Sequence, residues 1–303
     1  MRIRNLFNIR SLIGRIIGIL YSTDFISDKQ FLSFKFHNRQ GYRIDWDNPI
    51  TFSEKLQWLK LYNRRKEYTI MADKVMVKDW VARRIGSEYI IPTLGVWKRA
   101  EDVDFDSLPE QFVIKCNHNS GLGMYICRDK SKMDKKKVLS GLQDGLKENY
   151  FKQNGEWPYR DIPRRIIAEK FLSDGSGLDL ADYKFFCFDG EPIFCQVIKD
   201  RSTKETIDFY DMNWVHQPFI GLAKDVEHSK TPVNRPAQLD MMISIVKKLA
   251  KGIPFVRVDL YVVGSNIYFG EITFFPASGM GSFRPSEWNV KFGNMIKLPY
   301  PQI

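Results

Sequence analysis

Apolar residues recur with helical spacing in two stretches between about residues 50 and 86, TFSEKLQWLKLYNRR and MADKVMVKDWVARRIG, so this region reads as connected helices. Ser53 is the expected cap of the first helix, and Gly86 suits the end of the second. From about 88 to 172 the apolar runs shorten to strand length in YIIPTLGVW, QFVIKCN, GMYICR and RRIIAEKFL, with a Lys-rich helix predicted from Lys132 to Tyr150. The rest alternates strand and turn. DYKFFCF and EPIFCQVI flank Asp189-Gly190 as a hairpin, IDFYDMNW follows, and a helix from Pro236 to Lys251 leads into PFVRVDLYVV and IYFGEITFF. Without internal repeats or a low-complexity linker, the pattern predicts a mixed α+β fold with mainly antiparallel pairing in its second half.

The N-terminal MRIRNLFNIRSLIGRIIGILY is basic and apolar, but Arg10 and Arg15 interrupt it and no small-residue cleavage site follows, so it reads poorly as a signal peptide or a membrane span. An amphipathic helix fits better. Arg2, Arg4, Arg10 and Arg15 flank Leu6, Phe7, Leu12, Ile13, Ile16 and Ile17, a composition suited to packing on the protein or to resting on an anionic membrane surface.

With 44% hydrophobic and 14% aromatic residues, the 303-residue chain can bury a large core. Its formal charge of +10 favours anionic partners. Nucleic acid is not favoured among them, because no RNA-binding aromatic signature, zinc-finger spacing or helix-turn-helix pattern is present. Cys116, Cys127, Cys187 and Cys195 form no C-x-x-C pair and three lie in apolar runs, which points to reduced thiols in a cytosolic protein.

Four charged residues interrupt strands: Lys115 in FVIK, Lys184 in DYKFFCF, Asp259 in VRVDLY and Glu271 in YFGEIT. A buried charge costs several kcal/mol unless it is compensated, so each needs a partner. One reading is internal pairing, Lys115 with Glu271 for instance. The other is a shared polyanion and its metal ions, with lysines on phosphate oxygens and carboxylates on Mg²⁺. The loop after Lys115 suits the second reading. Asn117, His118, Ser120, Gly121 and Gly123 offer backbone N–H groups, a hydroxyl and the flexibility for close approach to an anion.

In colinear order these features resemble the ATP-grasp superfamily. TFSEKLQWLKLY, ADKVMVKDWVARRIG, PTLGVW, LPEQFVIKCNHNSG, DYKFFCFDGEP and FGEITFFPASG resemble its TupA-like, teichuronopeptide-biosynthesis branch over roughly residues 45 to 300. The resemblance implies two α+β lobes of mainly antiparallel sheet clasping ATP: a helical N-terminal region over 1–86, a lid lobe over 87–170 and a core lobe over 171–303. It places Lys74, Lys115 and Lys184 on the phosphates, with the Asn117–Gly123 loop beside them. Glu169, Lys170 and Leu172 would meet the adenine, and Asp179 the ribose. Asp259, Glu271 and Thr273 would hold Mg²⁺, and Arg257 would face the transferring phosphate. Thr273 departs from the Asn common in the superfamily and is a weaker ligand. The region before the lid also lacks the Gly-rich βαβ unit that often precedes this core.

The implied chemistry is carboxylate activation by ATP, followed by amide formation with an amine. The segment PASGMGSFRP, with Ser278, Gly279, Gly281 and Ser282, would hold an acceptor carboxylate, and Arg284 is the candidate clamp. The implied partners are a uronic acid of a cell-surface polysaccharide or its precursor and an amino acid or similar amine, handled in the cytoplasm or at the inner membrane face. A sugar or polysaccharide kinase would use the same lysines and metals. A sugar-transfer or polysaccharide-assembly protein with structural charge pairs is the rival of another class.

Overall fold

The computed structural model describes residues 2–176, 179–201, 203–223 and 225–300, with side chains from residue 12 onward. Arg2, Arg4, Leu6, Phe7 and Arg10 therefore lie outside the described side chains. In chain order the helices are α1 Arg2–Ser22, α2 Asp28–Gln40, α3 Phe52–Tyr62, α4 Lys66–Ala72, α5 Met76–Ile85, α6 Lys135–Lys147, α7 Tyr150–Asn154, α8 Leu239–Ala250 and α9 Trp288–Met295. The strands are β1 Thr93–Trp97, β2 Phe112–Cys116, β3 Tyr125–Cys127, β4 Ile166–Lys170, β5 Asp182–Phe188, β6 Glu191–Lys199, β7 Thr206–Asp211, β8 Ile220–Gly221, β9 Phe255–Val263, β10 Asn266–Thr273 and β11 Phe283–Arg284.

Local chemistry sets most boundaries. Asp189 and Gly190 both take positive φ, so the β5–β6 hairpin closes as its dipeptide predicts. The cap of α3 is Thr51 rather than Ser53: its hydroxyl accepts from the Glu54 N–H at 3.2 Å while the Glu54 carboxylate accepts from the Thr51 N–H at 2.9 Å. That reciprocal pair is a capping box, and Ser53 instead bonds Asn289 on α9. The Lys-rich helix is shorter than predicted, because Asp134 caps α6 and a break at Glu148–Asn149 separates it from α7.

Two antiparallel sheets carry the architecture. The smaller runs in the order β1-β4-β2-β3 and the larger in the order β10-β9-β5-β6-β7, with β8 and β11 as a short ribbon. In β2 the side chains of Phe112, Ile114 and Cys116 enter a core with Val138 and Leu142 of α6, which leaves Val113 and Lys115 on the opposite face. The larger sheet packs against α3, α8 and α9 over an aromatic cluster in which Phe292 touches Phe52, Phe186, Phe188, Phe194, Phe219 and Phe283. The result is an α+β fold, as the hydrophobic pattern predicts.

The N-terminal helices are tied to this body. Arg64 pairs with Asp28 at 2.5 Å, Tyr21 stacks on Phe31 at 3.8 Å, and Gln40 donates to the Met280 carbonyl at 2.9 Å. Along α1, Leu12, Ile13, Ile16 and Ile19 remain exposed. Among the described residues no helix is long and apolar enough to cross a membrane.

Candidate active site

Period-two alternation places the site's charges. In β9 Arg257 and Asp259 share a face; so do Glu271 and Thr273 in β10, and Asp182 and Lys184 in β5. Strand pairing then sets Lys184 opposite Asp259, Asp259 opposite Glu271, and Arg257 opposite Thr273. Arg257 grips Asp259 with two hydrogen bonds, Nε to Oδ1 at 2.7 Å and Nη2 to Oδ2 at 2.8 Å. The same Nη2 reaches Glu271 Oε1 at 2.9 Å and Thr273 Oγ1 at 3.0 Å. Lys184 Nζ donates to Asp259 Oδ2. Behind them Arg201 pairs with Asp182 at 2.9 Å.

The two acids differ in exposure. Asp259 is 1% exposed with both oxygens engaged, and burial pushes its pKa up against Arg257 and Lys184, which pull it down. The Glu271 side chain is 43% exposed. Desolvation would raise its pKa, but Arg257, Lys184 and Lys74 outweigh it and hold the carboxyl at about 2. Glu271 is thus ionised at neutral pH and open to the cleft.

A second group faces it from the smaller sheet. Lys115 pairs with Glu169 at 2.5 Å, and Lys78 of α5 pairs with the other oxygen of the same carboxylate at 2.5 Å. Burial alone would raise the Glu169 pKa, yet the two lysines hold it below its ordinary value. Lys74 donates to the Asn119 carbonyl at 2.6 Å, and its ammonium is lowered by burial and by Lys115, with Glu271 and Glu169 acting in the other direction. Lys74, Lys78, Lys115 and Glu169 line one crevice with Phe269 and Gly270, the residues next to Glu271. The structure therefore joins Lys184, Arg257, Asp259, Glu271 and Thr273 in one bonded cluster and sets Lys74 and Lys115 in the adjoining crevice, with Lys74 close enough to Glu271 for each charge to act on the other.

Other expected residues sit elsewhere or are already engaged. Asn117 is fully buried: its amide donates to Asp73 at 2.8 Å and to the Pro163 carbonyl at 2.9 Å and accepts from the Arg165 N–H at 2.7 Å. That makes it a strut under the loop. His118 is buried, with Nε2 3.2 Å from the Glu148 carbonyl and a pKa lowered by burial. Ser120 and Gly121 form the exposed tip of the loop, Gly121 with φ +93°. On β4, Glu169 turns toward the crevice, while Lys170 turns to the other face and lines a separate cavity with Glu110 and Arg128; Leu172 is half-buried. Asp179 pairs with Arg128 at 2.7 Å. Arg284 is outside the cluster, its guanidinium donating to the Val226 carbonyl at 2.5 Å.

Lys78, Asp73 and Asp182 belong to the site and were not singled out from the sequence. Lys78 lies one helical turn after Lys74, and Asp182 two residues before Lys184, so both spacings were available.

The family model described as TupA-like ATPgrasp matches residues 54–297. Comparison with curated proteins finds no match. Among solved structures, the chain is similar to D-alanine–D-alanine ligase from Bacillus anthracis complexed with ATP, at 19% identity and a TM-score of 0.43 over 75% of this chain and 63% of that one. It thus spans less than two thirds of that ligase. Similarity extends to D-alanine–D-alanine ligase from Helicobacter pylori, at 16% identity and TM-score 0.39 over 81% of this chain and 69% of that one. A RimK-domain ATP-grasp protein from Sphaerobacter thermophilus matches at 11% identity and TM-score 0.41 over 78% of this chain and 70% of that one.

Proposed function

The chain belongs to the TupA-like ATP-grasp family, and from that premise we propose that it is an ATP-dependent carboxylate–amine ligase acting through an acyl phosphate. The acceptor is a uronic acid of a cell-surface polysaccharide or its precursor, and the nucleophile is an amino acid or similar amine.

The observation that carries this reading is the bonded cluster of Glu271, Asp259, Arg257 and Lys184 beside the crevice that holds Lys74 and Lys115, with Lys74 acting on the Glu271 charge. Such a site suits a triphosphate with a hard divalent cation. Mg²⁺ fits the donor set: Glu271 is ionised and half-exposed and would hold it, with Asp259 beside it. Bound Mg²⁺ would neutralise triphosphate charge. Thr273, bonded to Arg257 and to Glu271 at 3.3 Å, orients the Glu271 carboxylate.

Lys74, Lys115 and Lys184 hold phosphate oxygens under the backbone N–H groups of Ser120 and Gly121. Arg257 balances charge on the transferring phosphoryl group. The strand end at Glu169, Lys170 and Leu172 presents its backbone to the adenine edge. A carboxylate oxygen of the acceptor attacks the γ-phosphorus and ADP leaves. The amine then attacks the acyl carbon, phosphate departs, and the amine proton passes to water.

The exposed apolar stripe of α1, beside Arg15, suits contact with the inner face of a membrane, consistent with a cytoplasmic site of action. Purified protein given Mg-ATP, a glucuronic acid oligosaccharide and an amino acid is expected to release phosphate only when both acceptors are present and to yield an amide. Phosphate retained on the saccharide would mark a kinase instead.

A further inference from the structure

The region before residue 54, which the family model does not cover, forms one wall of an open cavity of about 570 Å³ between α1, α2 and the loop after β10. Arg15, Lys35, Asn38 and Arg39 line one side, and Asn154 and Ser278 the other. Among the described residues Arg15, Lys35 and Arg39 have no ion-pair partner, while the acids Asp24 and Asp28 are taken by Lys152 and Arg64. Lys35 is half-buried, and burial and the neighbouring Arg39 both lower its ammonium. Arg15 and Arg39 are exposed at its rim, and three cations gathered at one concave wall attract an anion from solution. The volume falls in the range of roughly 300–1,000 Å³ typical of ligand sites.

The cavity is a built feature. Gln40, at the end of α2, bonds the Met280 carbonyl at 2.9 Å, which fixes the cationic helix on the loop that carries Ser278. Buried Lys60 donates to the carbonyls of Asn154 and Ser278, both at 2.9 Å, locking the opposite wall. Ser278 Oγ in turn donates to buried Glu156 at 2.7 Å. Beyond Glu156, half-buried Tyr159 feels the charge of Glu156 and also of Glu271 and Arg257, which puts that wall near the chemistry.

We propose that this cavity binds the anionic saccharide acceptor, seating a carboxylate-bearing sugar unit next to the one that reacts. Its chemistry selects that class. Arg15, Lys35 and Arg39 meet carboxylates, the amides of Asn38 and Asn154 meet hydroxyls, and the Phe34 ring offers a face for a sugar. The N-terminal helices thereby select the polymer and the family core supplies the chemistry. The assignment rests on the ligase reading for the identity of the ligand as acceptor, while saccharide binding itself is measurable without turnover.

The test is calorimetric titration of the full-length protein with a hexuronic acid tetrasaccharide, a neutral glucan tetrasaccharide and inorganic phosphate, alongside sedimentation with vesicles containing anionic lipid. The acidic tetrasaccharide is expected to bind and the neutral one not. The Lys35→Gln/Arg39→Gln variant is expected to bind the acidic one at least about tenfold more weakly, with unchanged affinity for a fluorescent ADP analogue. That nucleotide control shows that the variant folds. Equal affinity in wild type and variant, equal binding of the neutral saccharide, or no saccharide binding by wild type would each overturn the proposal. So would a variant defect confined to vesicles or phosphate. Saccharide binding that depends on Lys35 and Arg39 without any amide product would keep the cavity and reject the ligase reading; amide formation unaffected by the double substitution would do the reverse.

Discussion

Lys184 and Asp259 stand directly opposite each other on neighbouring strands, and the lysine ammonium donates to a carboxylate that is already held by two bonds from Arg257. One buried acid thus serves two cations. Removing it leaves Lys184 only Asp182 at 3.8 Å and Arg257 only Glu271 and Thr273, whereas removing Lys184 leaves the arginine pair intact.

Asp259→Asn is therefore expected to destabilise the protein by about 3 kcal/mol or more, as does breaking a buried ion pair from one side. Thermal melting is expected to show a fall of roughly 6–12 °C. Lys184→Met should lower the melting temperature less while abolishing ATP turnover. A larger thermal loss in Lys184→Met than in Asp259→Asn would contradict this ordering.

Glu271→Gln removes an exposed, ionised carboxylate and leaves its shape. Phosphate release is expected to fall by about 10²–10³-fold, the scale of losing one group aimed at developing charge, with a melting temperature a few degrees below wild type at neutral pH, where the ionised carboxylate is held by Arg257. Turnover like wild type in this variant would count heavily against the site.

Acid titration gives an independent reading of the same residue. The folded pKa of Glu271 is about 2, below its ordinary 4.5, so its contribution to stability is complete above pH 4.5 and is lost as pH falls toward 2. In denaturant melts across that window, wild type is expected to lose stability more steeply than Glu271→Gln. Parallel curves would show that the carboxylate is not held down by Arg257, Lys184 and Lys74.

Lys115 and Lys78 share Glu169. Lys115→Met leaves Glu169 paired to Lys78, so the melting temperature should shift by only a few degrees. KM for ATP is expected to rise about tenfold or more, the scale of one charge-assisted hydrogen bond. An unchanged KM would return Lys115 to a purely structural role.

Deleting residues 1–19 spares Tyr21 and its stack on Phe31 while removing the exposed Leu12, Ile13, Ile16 and Ile19. Recovery with anionic vesicles is expected to drop severalfold, with nucleotide binding retained. Unchanged sedimentation would show that the stripe makes no membrane contact.

Much of this arrangement was legible along the chain. The strand parity that aims Lys115 away from the core and pairs Arg257 with Asp259 on one face follows from period two alone, and Asp189-Gly190 declared its hairpin. What could not be read is pairing at long range. Lys115 meets Glu169 and not Glu271, because β2 and β4 are neighbours and set their outward residues diagonally side by side. Asn117 and His118 sit in a loop whose composition suggested exposed anion contacts, yet Asp73, Arg165 and Glu148 close over them from distant segments. The cap of α3 was within reach, since Thr51 and Glu54 carry the T-x-x-E pattern that Ser53 lacks. The cationic cavity needed the fold, as it joins α1 and α2 to residues more than a hundred positions away.

The most direct test of carboxylate activation in this cleft is oxygen transfer. With the acceptor carboxylate labelled with ¹⁸O, complete turnover with Mg-ATP and amine is expected to place one labelled oxygen in each phosphate released, and Glu271→Gln to release none above background. Unlabelled phosphate from an active wild-type enzyme would contradict an acyl-phosphate route and, with it, the ligase assignment.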